Sequence, residues 1–205
     1  LDQIRSLAPP ILRWPGGNFT STYHWWEGIG PQDQRQCYPN TDWWGLEDNS
    51  FGIAEFLRLC ELVGTEAHLC VNMGNGTPEE SAQWVEYVNG SVETHWGALR
   101  AAHGHPEPWR VKLWEIGNEI YGPWQTGNCG SEENARRYRV WAEAMLAVIE
   151  QELPINQNTR NLVQSWVDDT DDLDEERLIK LIERIGKGRF AQALLVEVVG
   201  IIHPA

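Results

Sequence analysis

The sequence predicts an α/β fold with a parallel sheet, and three observations lead to it. Short apolar, β-rich runs alternate with stretches in which apolar residues recur at helical spacing. Such alternation favours right-handed βαβ units, which place successive strands side by side in parallel. The 205 residues fit one ordinary domain or part of a larger one. Because no internal repeat or low-complexity linker divides them, we predict one architectural unit over residues 1–205.

Five strands and four helices are expected along the chain. In order they are a strand over 11–14, a helix from about 51 to 63, a strand over 67–71, a helix from 78 to about 89, a strand over 111–116, a helix from about 131, a strand over 162–166, a helix before Gly186 and a strand over 194–202. Asn49 or Ser50 can cap the first helix, and Gly64 fits its termination. Thr77, followed by proline and two glutamates, opens the second helix as a capping box.

The number of strands leaves two architectures open. A complete eight-stranded barrel takes about 250 residues, so five strands fit either an open doubly wound sheet or an incomplete barrel. Neither G-x-G-x-x-G nor G-x-x-x-x-G-K-[ST] follows the first strand, which argues against a nucleotide-binding open sheet. The sequence therefore favours a (β/α)8 TIM barrel, present here as a partial barrel.

Charge and composition exclude several classes of partner. With 16 Lys and Arg against 30 Asp and Glu, the formal net charge is −14, and such a field repels nucleic-acid phosphates and anionic lipids. No apolar run approaches the roughly 18 residues of a membrane span. His95, His103 and His105 have no companion ligands at convincing spacing. We therefore expect no nucleic acid, no membrane, no metal and no cofactor.

Polar residues follow four of the predicted strands, at the edge where barrel enzymes carry their active sites. They are Arg13 and Asn18 after the first strand, Asn72 after the second, Asn118 and Glu119 after the third, and His203 after the last. Such a rim can bind many hydroxyl groups and hold a carboxyl group for proton transfer. Glu119 is the candidate proton donor, and the alternative is a helix-start carboxylate near the helix dipole.

Tryptophan is unusually frequent, with 12 among 205 residues. Eight of them lie mostly in or beside loops on the side where the strands end: Trp14, Trp25, Trp26, Trp43, Trp44, Trp109, Trp114 and Trp124. Indole faces stack on the C–H faces of sugar rings, whereas packing under long loops is the alternative for any single one. The group as a whole favours a carbohydrate site.

These motifs, in this order, resemble the α-L-arabinofuranosidases of glycoside hydrolase family 51. The matching stretches are Leu12-Arg13-Trp14-Pro15-Gly16-Gly17-Asn18-Phe19, Gly28-Ile29-Gly30-Pro31, Phe51-Gly52, Asn72-Met73-Gly74-Asn75-Gly76-Thr77-Pro78-Glu79-Glu80, Gly104-His105-Pro106-Glu107-Pro108 and Trp114-Glu115-Ile116-Gly117-Asn118-Glu119. The resemblance runs from residue 1 to about 124 and weakens after that.

The resemblance implies a retaining hydrolase that removes terminal arabinofuranosyl groups from arabinose-containing oligosaccharides or polysaccharides. It gives Glu119 the role of general acid/base. It places Arg13, Asn18, Trp43 and Asn118 around the arabinose, with Asn72 on the same inner rim, and it aligns His203 with the end of the sixth barrel strand. A homo-oligomer of the full-length protein and a cytoplasmic location are habits of the family; the sequence itself does not indicate a compartment.

Three departures from the family accompany the resemblance. Pro204 and Ala205 stand where the family continues its sixth-strand motif to a tyrosine. The nucleophilic glutamate is expected beyond the chain end, and the chain corresponds to about strands two to six of the barrel. We therefore expect the 205-residue chain alone to be inactive.

Two other functions stay open at this stage. One is another retaining glycosidase of the same clan, such as a xylanase, which shares the Asn118-Glu119 pair. The motifs over 13–18 and 104–108 argue against it. The other is a catalytically silent sugar-binding fragment, which the departures at the chain end favour.

Overall fold

The structure is a computed structural model that describes the backbone of residues 1–152 and the side chains of residues 1–149. Its elements in chain order are α1 (Asp2–Leu7), β1 (Ile11–Trp14), β2 (Tyr38–Pro39), β3 (Leu46–Glu47), α2 (Ile53–Val63), β4 (Glu66–Val71), α3 (Pro78–Asn89), α4 (His95–Ala102), β5 (Leu113–Ile116) and α5 (Ser131–Glu152). The predicted strands over 162–166 and 194–202, the helix before Gly186 and the site residue His203 lie outside the described residues.

Strands β1, β4 and β5 form a parallel sheet in the order β1-β4-β5. Arg13 is paired with His68 on β4, and Cys70 on β4 is paired with Glu115 on β5. Helices connect these strands, so the parallel α/β arrangement predicted from the sequence is confirmed for the described part of the chain. The long loop after β1 contains a separate two-stranded antiparallel hairpin, β2-β3.

The two faces of the parallel sheet differ in chemistry, because neighbouring residues of a strand point to opposite sides. One face carries Trp14, Leu69 and Trp114, which belong to or pack on the apolar core. The rings of Trp14 and Trp114 each contact Trp84 of α3 edge to face, with centroids 6.1 and 5.8 Å apart. The opposite face carries Arg13 and Glu115, and their side chains meet there.

The tryptophans divide between core and surface. Trp25 and Trp114 are buried, and Trp25 stacks on Trp84 at 6.3 Å. Trp43, Trp44 and Trp124 are exposed, with 62%, 88% and 60% of their surface accessible. The expectation of indoles at a carbohydrate site therefore still applies to the exposed ones, whereas Trp25 and Trp114 are explained by core packing.

Most helix ends agree with the sequence, with three differences, of which the first is that α1 was not among the predicted helices. Helix α2 begins after Gly52 and not after Asn49 or Ser50, because the Glu55 carboxylate accepts a hydrogen bond from Gly52 N at 2.8 Å. Asn49 is instead buried, and its amide nitrogen donates to Gln36 O. Helix α4 was not expected; Thr94 caps it by accepting from Gly97 N. It is only eight residues long and contains a glycine, so its sequence gives a short helical pattern that is easily taken for a loop.

The long loop after β1 is fastened to α3 through one buried residue, Glu80. Its backbone carbonyl accepts from Trp25 Nε1 at 3.0 Å, and its carboxylate oxygens both lie 3.0 Å from His24 Nδ1. The loop therefore has a fixed path over the helix although it holds little regular structure. No helix in the described part of the chain is both long and apolar enough to cross a membrane.

Gly52 and Gly28 touch through their backbones, which gives a first prediction. A Cβ at Gly52 would lie 1.9 Å from Gly28 O, and no side-chain rotation relieves that clash. Gly52→Ala should lower the free energy of unfolding by about 2 kcal/mol or more, measured by urea denaturation. Gly130→Ala is the control, because its Cβ meets nothing within 4 Å and the substitution affects only helix capping. Equal losses in the two variants would contradict this account.

A second prediction concerns the His24–Glu80 pair. The hydrogen bond to Glu80 raises the pKa of His24 above its ordinary value of 6.5, against the opposing effect of burial. A raised folded-state pKa means that the pair stabilises the fold fully below the ordinary value and loses this effect as pH rises through the raised pKa. Glu80→Gln should lower the pKa of His24 in an NMR titration of the imidazole protons.

His103 is the internal control in the same spectra. Burial lowers its pKa, and it lies beside Tyr87 and not beside Glu80. Its titration should be the same in both proteins. An unchanged titration of His24 in the Glu80→Gln variant would refute the role given to the carboxylate.

Candidate active site

Arg13 is the centre of a polar network on the polar face of the sheet. Its Nε and Nη2 donate to the two carboxylate oxygens of Glu115, the second at 2.9 Å. Nη2 also donates to Asn118 Oδ1 at 2.7 Å and lies 3.5 Å from Cys70 Sγ. Because β4 lies between β1 and β5, the guanidinium reaches across the central strand to join residues of all three strands or their exits.

The opposite charges of Arg13 and Glu115 stabilise each other in this network. Burial is the largest single effect on the pKa of Arg13 and would lower it, but the hydrogen bonds and charge interactions with Glu115 and Cys70 together outweigh it, and the pKa is raised. His68 Nε2 lies 3.9 Å from the same Glu115 carboxylate. Burial raises the pKa of the Cys70 thiol strongly, so this sulfur is a neutral neighbour of the ion pair. The guanidinium is therefore held as a permanent cation in one orientation.

Asn118 is buried beside the guanidinium and has hydrogen-bonding capacity left. Its Oδ1 accepts from Arg13, whereas its Nδ2 is shielded from solvent and has no hydrogen-bond partner within residues 1–149. Burying a donor without a partner is unfavourable by about 1 to 3 kcal/mol. An amide held in this way is suited to donate to a hydroxyl group of a bound ligand.

Glu119 follows Asn118 in a turn and is exposed. Its φ of 47° lies in the left-handed region, which is unfavourable for a residue with a Cβ and is enriched at functional sites. Trp124 Nε1 donates to its Oε2 at 3.4 Å. Helix α5 starts only at Ser131, so Glu119 is not the helix-start carboxylate considered as an alternative.

Two glycines bring Trp43 towards Arg13. A Cβ on Gly16 would lie 3.3 Å from Arg13 Nη1, and a Cβ on Gly17 would lie 3.3 Å from Trp43 Cζ2. Gly17 also has a φ of +64°, which a larger residue adopts only with strain. Asn18 begins a 3-10 turn directly after this pair. The structure thus places Arg13, Asn18, Trp43, Asn118 and Glu119 on the side where the parallel strands end.

Asn72 differs from these residues because its side chain is fully used within the protein. Its Oδ1 accepts from Gly74 N and Asn75 N, and its Nδ2 donates to Tyr23 O and to Asn75 Oδ1. The residue is 4% exposed. It therefore shapes the loop after β4 and joins that loop to Tyr23, and a direct contact with a ligand would require breaking these bonds.

Glu115, His68 and Cys70 were not among the expected site residues. The sequence contains one signal for Glu115, since it lies two residues from the strand exit with the parity of a residue on the same face. The ion pair itself depends on β1 and β5 lying on either side of β4, which the local sequence does not specify. Among the described residues, no group of three or more His, Cys, Asp or Glu could hold a metal ion.

Together, the fold and the site define an α/β protein with a carboxylate-bearing polar site at the carboxyl ends of parallel strands, the usual position of an active site in this class. The family described as Alpha-L-arabinofuranosidase 1 domain matches residues 3–184. The chain belongs to this family, which confirms the resemblance seen in the sequence motifs.

Individual relatives agree with the family. Alpha-L-arabinofuranosidase C of Emericella nidulans is 48% identical over 145 residues, which are 71% of this chain and 29% of that protein. An intracellular exo-alpha-L-arabinofuranosidase of Bacteroides ovatus is 45% identical over 120 residues, which are 58% of this chain and 23% of that protein. The chain thus spans less than a third of the length of these relatives.

Solved structures show the same similarity. The arabinose complex of the alpha-L-arabinofuranosidase from Thermotoga maritima has a TM-score of 0.70 and 44% identity, covering 72% of this chain and 30% of that one. The GH51 alpha-L-arabinofuranosidase from Thermotoga petrophila has a TM-score of 0.72 and 34% identity, covering 93% of this chain and 45% of that one.

The Arg13–Glu115 pair gives a third prediction. Glu115→Ala should lower the free energy of unfolding by about 1 to 2 kcal/mol, because a guanidinium on a partly exposed side chain loses two hydrogen bonds to a charged partner. Glu133→Ala is the matched control. Glu133 also pairs with arginines, Arg136 and Arg137, but on the surface of α5, and its loss should be much smaller. Denaturation curves of equal midpoint for the two variants would contradict the role given to Glu115.

Proposed function

We propose that this chain forms the acid/base half of the active site of a retaining α-L-arabinofuranosidase. The observation that carries the proposal is the exposed Glu119 carboxylate in a left-handed turn at the strand exit, directly after the buried Asn118. Membership of the arabinofuranosidase family supports it, as does the arabinose bound by the Thermotoga maritima relative. The substrates are terminal arabinofuranosyl groups of arabinose-containing oligosaccharides or polysaccharides.

Glu119 acts twice in this mechanism. Its carboxylic acid first gives a proton to the glycosidic oxygen while a carboxylate nucleophile attacks the anomeric carbon, so that the leaving alcohol departs and a glycosyl ester forms. The Glu119 carboxylate then takes a proton from water as the water oxygen attacks the same carbon, which frees the nucleophile and releases arabinose. Glu119 regains its proton, and both carboxyl groups return to their starting states.

The neighbouring residues hold the sugar ring. Asn118 Nδ2, which has no partner in the described part of the protein, donates to a ring hydroxyl, and Arg13 fixes the amide in the required orientation through Oδ1. Asn18 offers a second amide. The exposed Trp43 indole beside Gly17 covers an apolar face of the substrate. Asn72 contributes as a positioning residue for this rim, and His203 belongs to the same site.

A retaining mechanism needs a second carboxylate about 5 to 5.5 Å from the first. Glu115 is committed to Arg13 by two hydrogen bonds, which makes it a poor nucleophile. We therefore assign the nucleophile to a residue outside residues 1–152. The three described parallel strands are then consecutive strands of a (β/α)8 barrel, and residues 1–205 form one part of its catalytic domain.

A fourth prediction tests this function in the protein that carries this sequence. Glu119→Ala should reduce turnover of arabinosides with poor leaving groups by about 100-fold or more, because these need the proton. Aryl arabinofuranosides with good leaving groups should lose much less in the first step, and azide should restore their turnover by replacing the water that needs a general base.

Glu93→Ala is the control for this experiment, because it removes an exposed carboxylate far along the chain from the site and should leave both rates unchanged. Equal losses for good and poor leaving groups, without rescue by azide, would refute the role of Glu119. Hydrolysis of xylosides in preference to arabinofuranosides would favour the xylanase-like alternative. Binding of arabinose without any turnover would favour a silent sugar-binding protein.

A further inference from the structure

The indole of Trp124 lies beside the candidate proton donor, and the proposed mechanism gives it no role. Its Nε1 donates to Glu119 Oε2 at 3.4 Å. Trp124 is 60% exposed, so packing in the core does not explain its position. The ring of Tyr121 contacts the indole edge to face, with centroids 6.2 Å apart. A large apolar side chain is thus kept at the surface, with its one polar atom directed at a carboxylate.

The loop that carries Trp124 is fixed to the rest of the protein next to the indole. Gly122 N donates to Glu119 O at 2.8 Å, and Gln125 N donates to Gly122 O at 2.9 Å, so two consecutive turns lead from the carboxylate to the indole. Gln125 is 2% exposed, and its amide nitrogen donates to Ser21 Oγ in the loop after β1. The backbone on either side of Trp124 therefore has a defined position relative to Glu119.

A glycine provides the space in which the indole lies. A Cβ on Gly122 would be 2.5 Å from Trp124 Cε2, 2.6 Å from Cζ2 and 3.0 Å from Nε1. These atoms surround the N–H group, so the missing side chain of Gly122 decides how near Nε1 comes to Glu119. At 3.4 Å the hydrogen bond is at the long end of the usual range, and a further small displacement of the indole breaks it.

The direction of this hydrogen bond makes the two carboxyl oxygens of Glu119 unequal. An indole N–H donates and cannot accept, whereas a protonated carboxyl group has one O–H donor and one free acceptor oxygen. Because Nε1 of Trp124 donates to Oε2, the acidic proton of Glu119 is carried by Oε1. Oε1 is then the atom that gives the proton to the glycosidic oxygen and later takes one from water.

We propose that Trp124 is a positioning residue for both proton transfers: its N–H holds Oε2 of Glu119 and so presents Oε1 to the reacting oxygen. This inference rests on the proposed function, which gives Glu119 both steps. Oε1 gives one proton and regains one in each turnover, and Trp124 keeps its own. The role differs from the stacking expected of exposed indoles, because a plain aromatic ring covers a sugar but cannot hold a carboxylate.

Trp124→Phe tests this role in the protein that carries this sequence, because it keeps an aromatic ring and removes the N–H. It should lower kcat/KM for arabinosides with poor leaving groups by about tenfold, through kcat and not KM, because proton transfer needs an aligned donor. Aryl arabinofuranosides with good leaving groups, which need little protonation, should lose about threefold or less. Gly122→Ala should give the same split with the indole still present, since its Cβ displaces the ring.

Trp96→Phe is the matched control. It also removes an indole N–H, but Trp96 is in α4, where its ring packs against Trp25 with centroids 5.1 Å apart. Both values of kcat/KM should therefore stay unchanged. Equal losses in Trp96→Phe and Trp124→Phe would mean that any disturbed indole slows the enzyme, and would overturn the positioning role.

A double-mutant cycle with Glu119→Ala separates this inference from the proposed function. In the Glu119→Ala background, Trp124→Phe should cause no further loss, because the indole has no carboxylate to hold. The same loss in both backgrounds, or an equal rise in KM for both kinds of substrate, would show that Trp124 acts on the sugar. That result, or unchanged rates in Trp124→Phe, would overturn this inference and leave the role of Glu119 intact. Equal losses for good and poor leaving groups in Glu119→Ala itself would refute both.

Discussion

The ion pair between Arg13 and Glu115 joins the two outer strands of the described sheet across the central one. Neighbouring strands are about 4.8 Å apart, so residues on β1 and β5 are separated by about 10 Å and only long side chains bridge that gap. The strand between them presents Cys70, whose sulfur lies 3.5 Å from Arg13 Nη2. A small, buried side chain at this position leaves room for the guanidinium to cross. The orientation of Asn118, and hence the geometry beside Glu119, depends on this crossing.

The path of the long loop after β1 depends on a different constraint. At its glycine residues, the backbone lies very close to other backbone segments or to aromatic rings. Gly52 and Gly28 are in contact, and Gly16 and Gly17 lie between Arg13 and Trp43. Hydrogen bonds from Trp25 and His24 to Glu80 then hold the loop on α3. The loop is attached to α3 on one side, and Trp43 and Trp44 are exposed on the other. A loop with little regular structure can therefore present aromatic surface at a fixed place.

The site combines a set of side chains held by hydrogen bonds with one residue, Glu119, in a strained backbone conformation. Arg13, part of whose side chain is exposed, donates to both Glu115 and the buried Asn118, whereas Glu119 is exposed and has a left-handed backbone. In the proposed mechanism Arg13 holds the Asn118 amide in the orientation that binds the sugar, and the exposed carboxyl group of Glu119 exchanges protons with the leaving group and with water. Preorganised contacts of this kind contribute to catalysis because they require no rearrangement at the moment of reaction.

The sequence by itself determined the parallel α/β arrangement, the family, and which residue types stand at the strand exits. It could do so because helical and strand periodicity, caps such as Thr77 and termini such as Gly64 are properties of residues close together in the chain. Only the tertiary structure decided that Glu115 pairs with Arg13 and that the hydrogen-bonding groups of Asn72 are all used within the protein. It also decided that Gly52 caps α2, and that Trp25 belongs to the core while Trp43 stays exposed. The Arg13–Glu115 pair and the burial of Trp25 depend on contacts between residues distant in sequence, such as the 102 positions that separate Arg13 from Glu115, and local pattern carries no information about them. The Gly52 cap and most hydrogen bonds of Asn72 are local, but more than one local arrangement fits these stretches, and packing with the rest of the fold selects one of them.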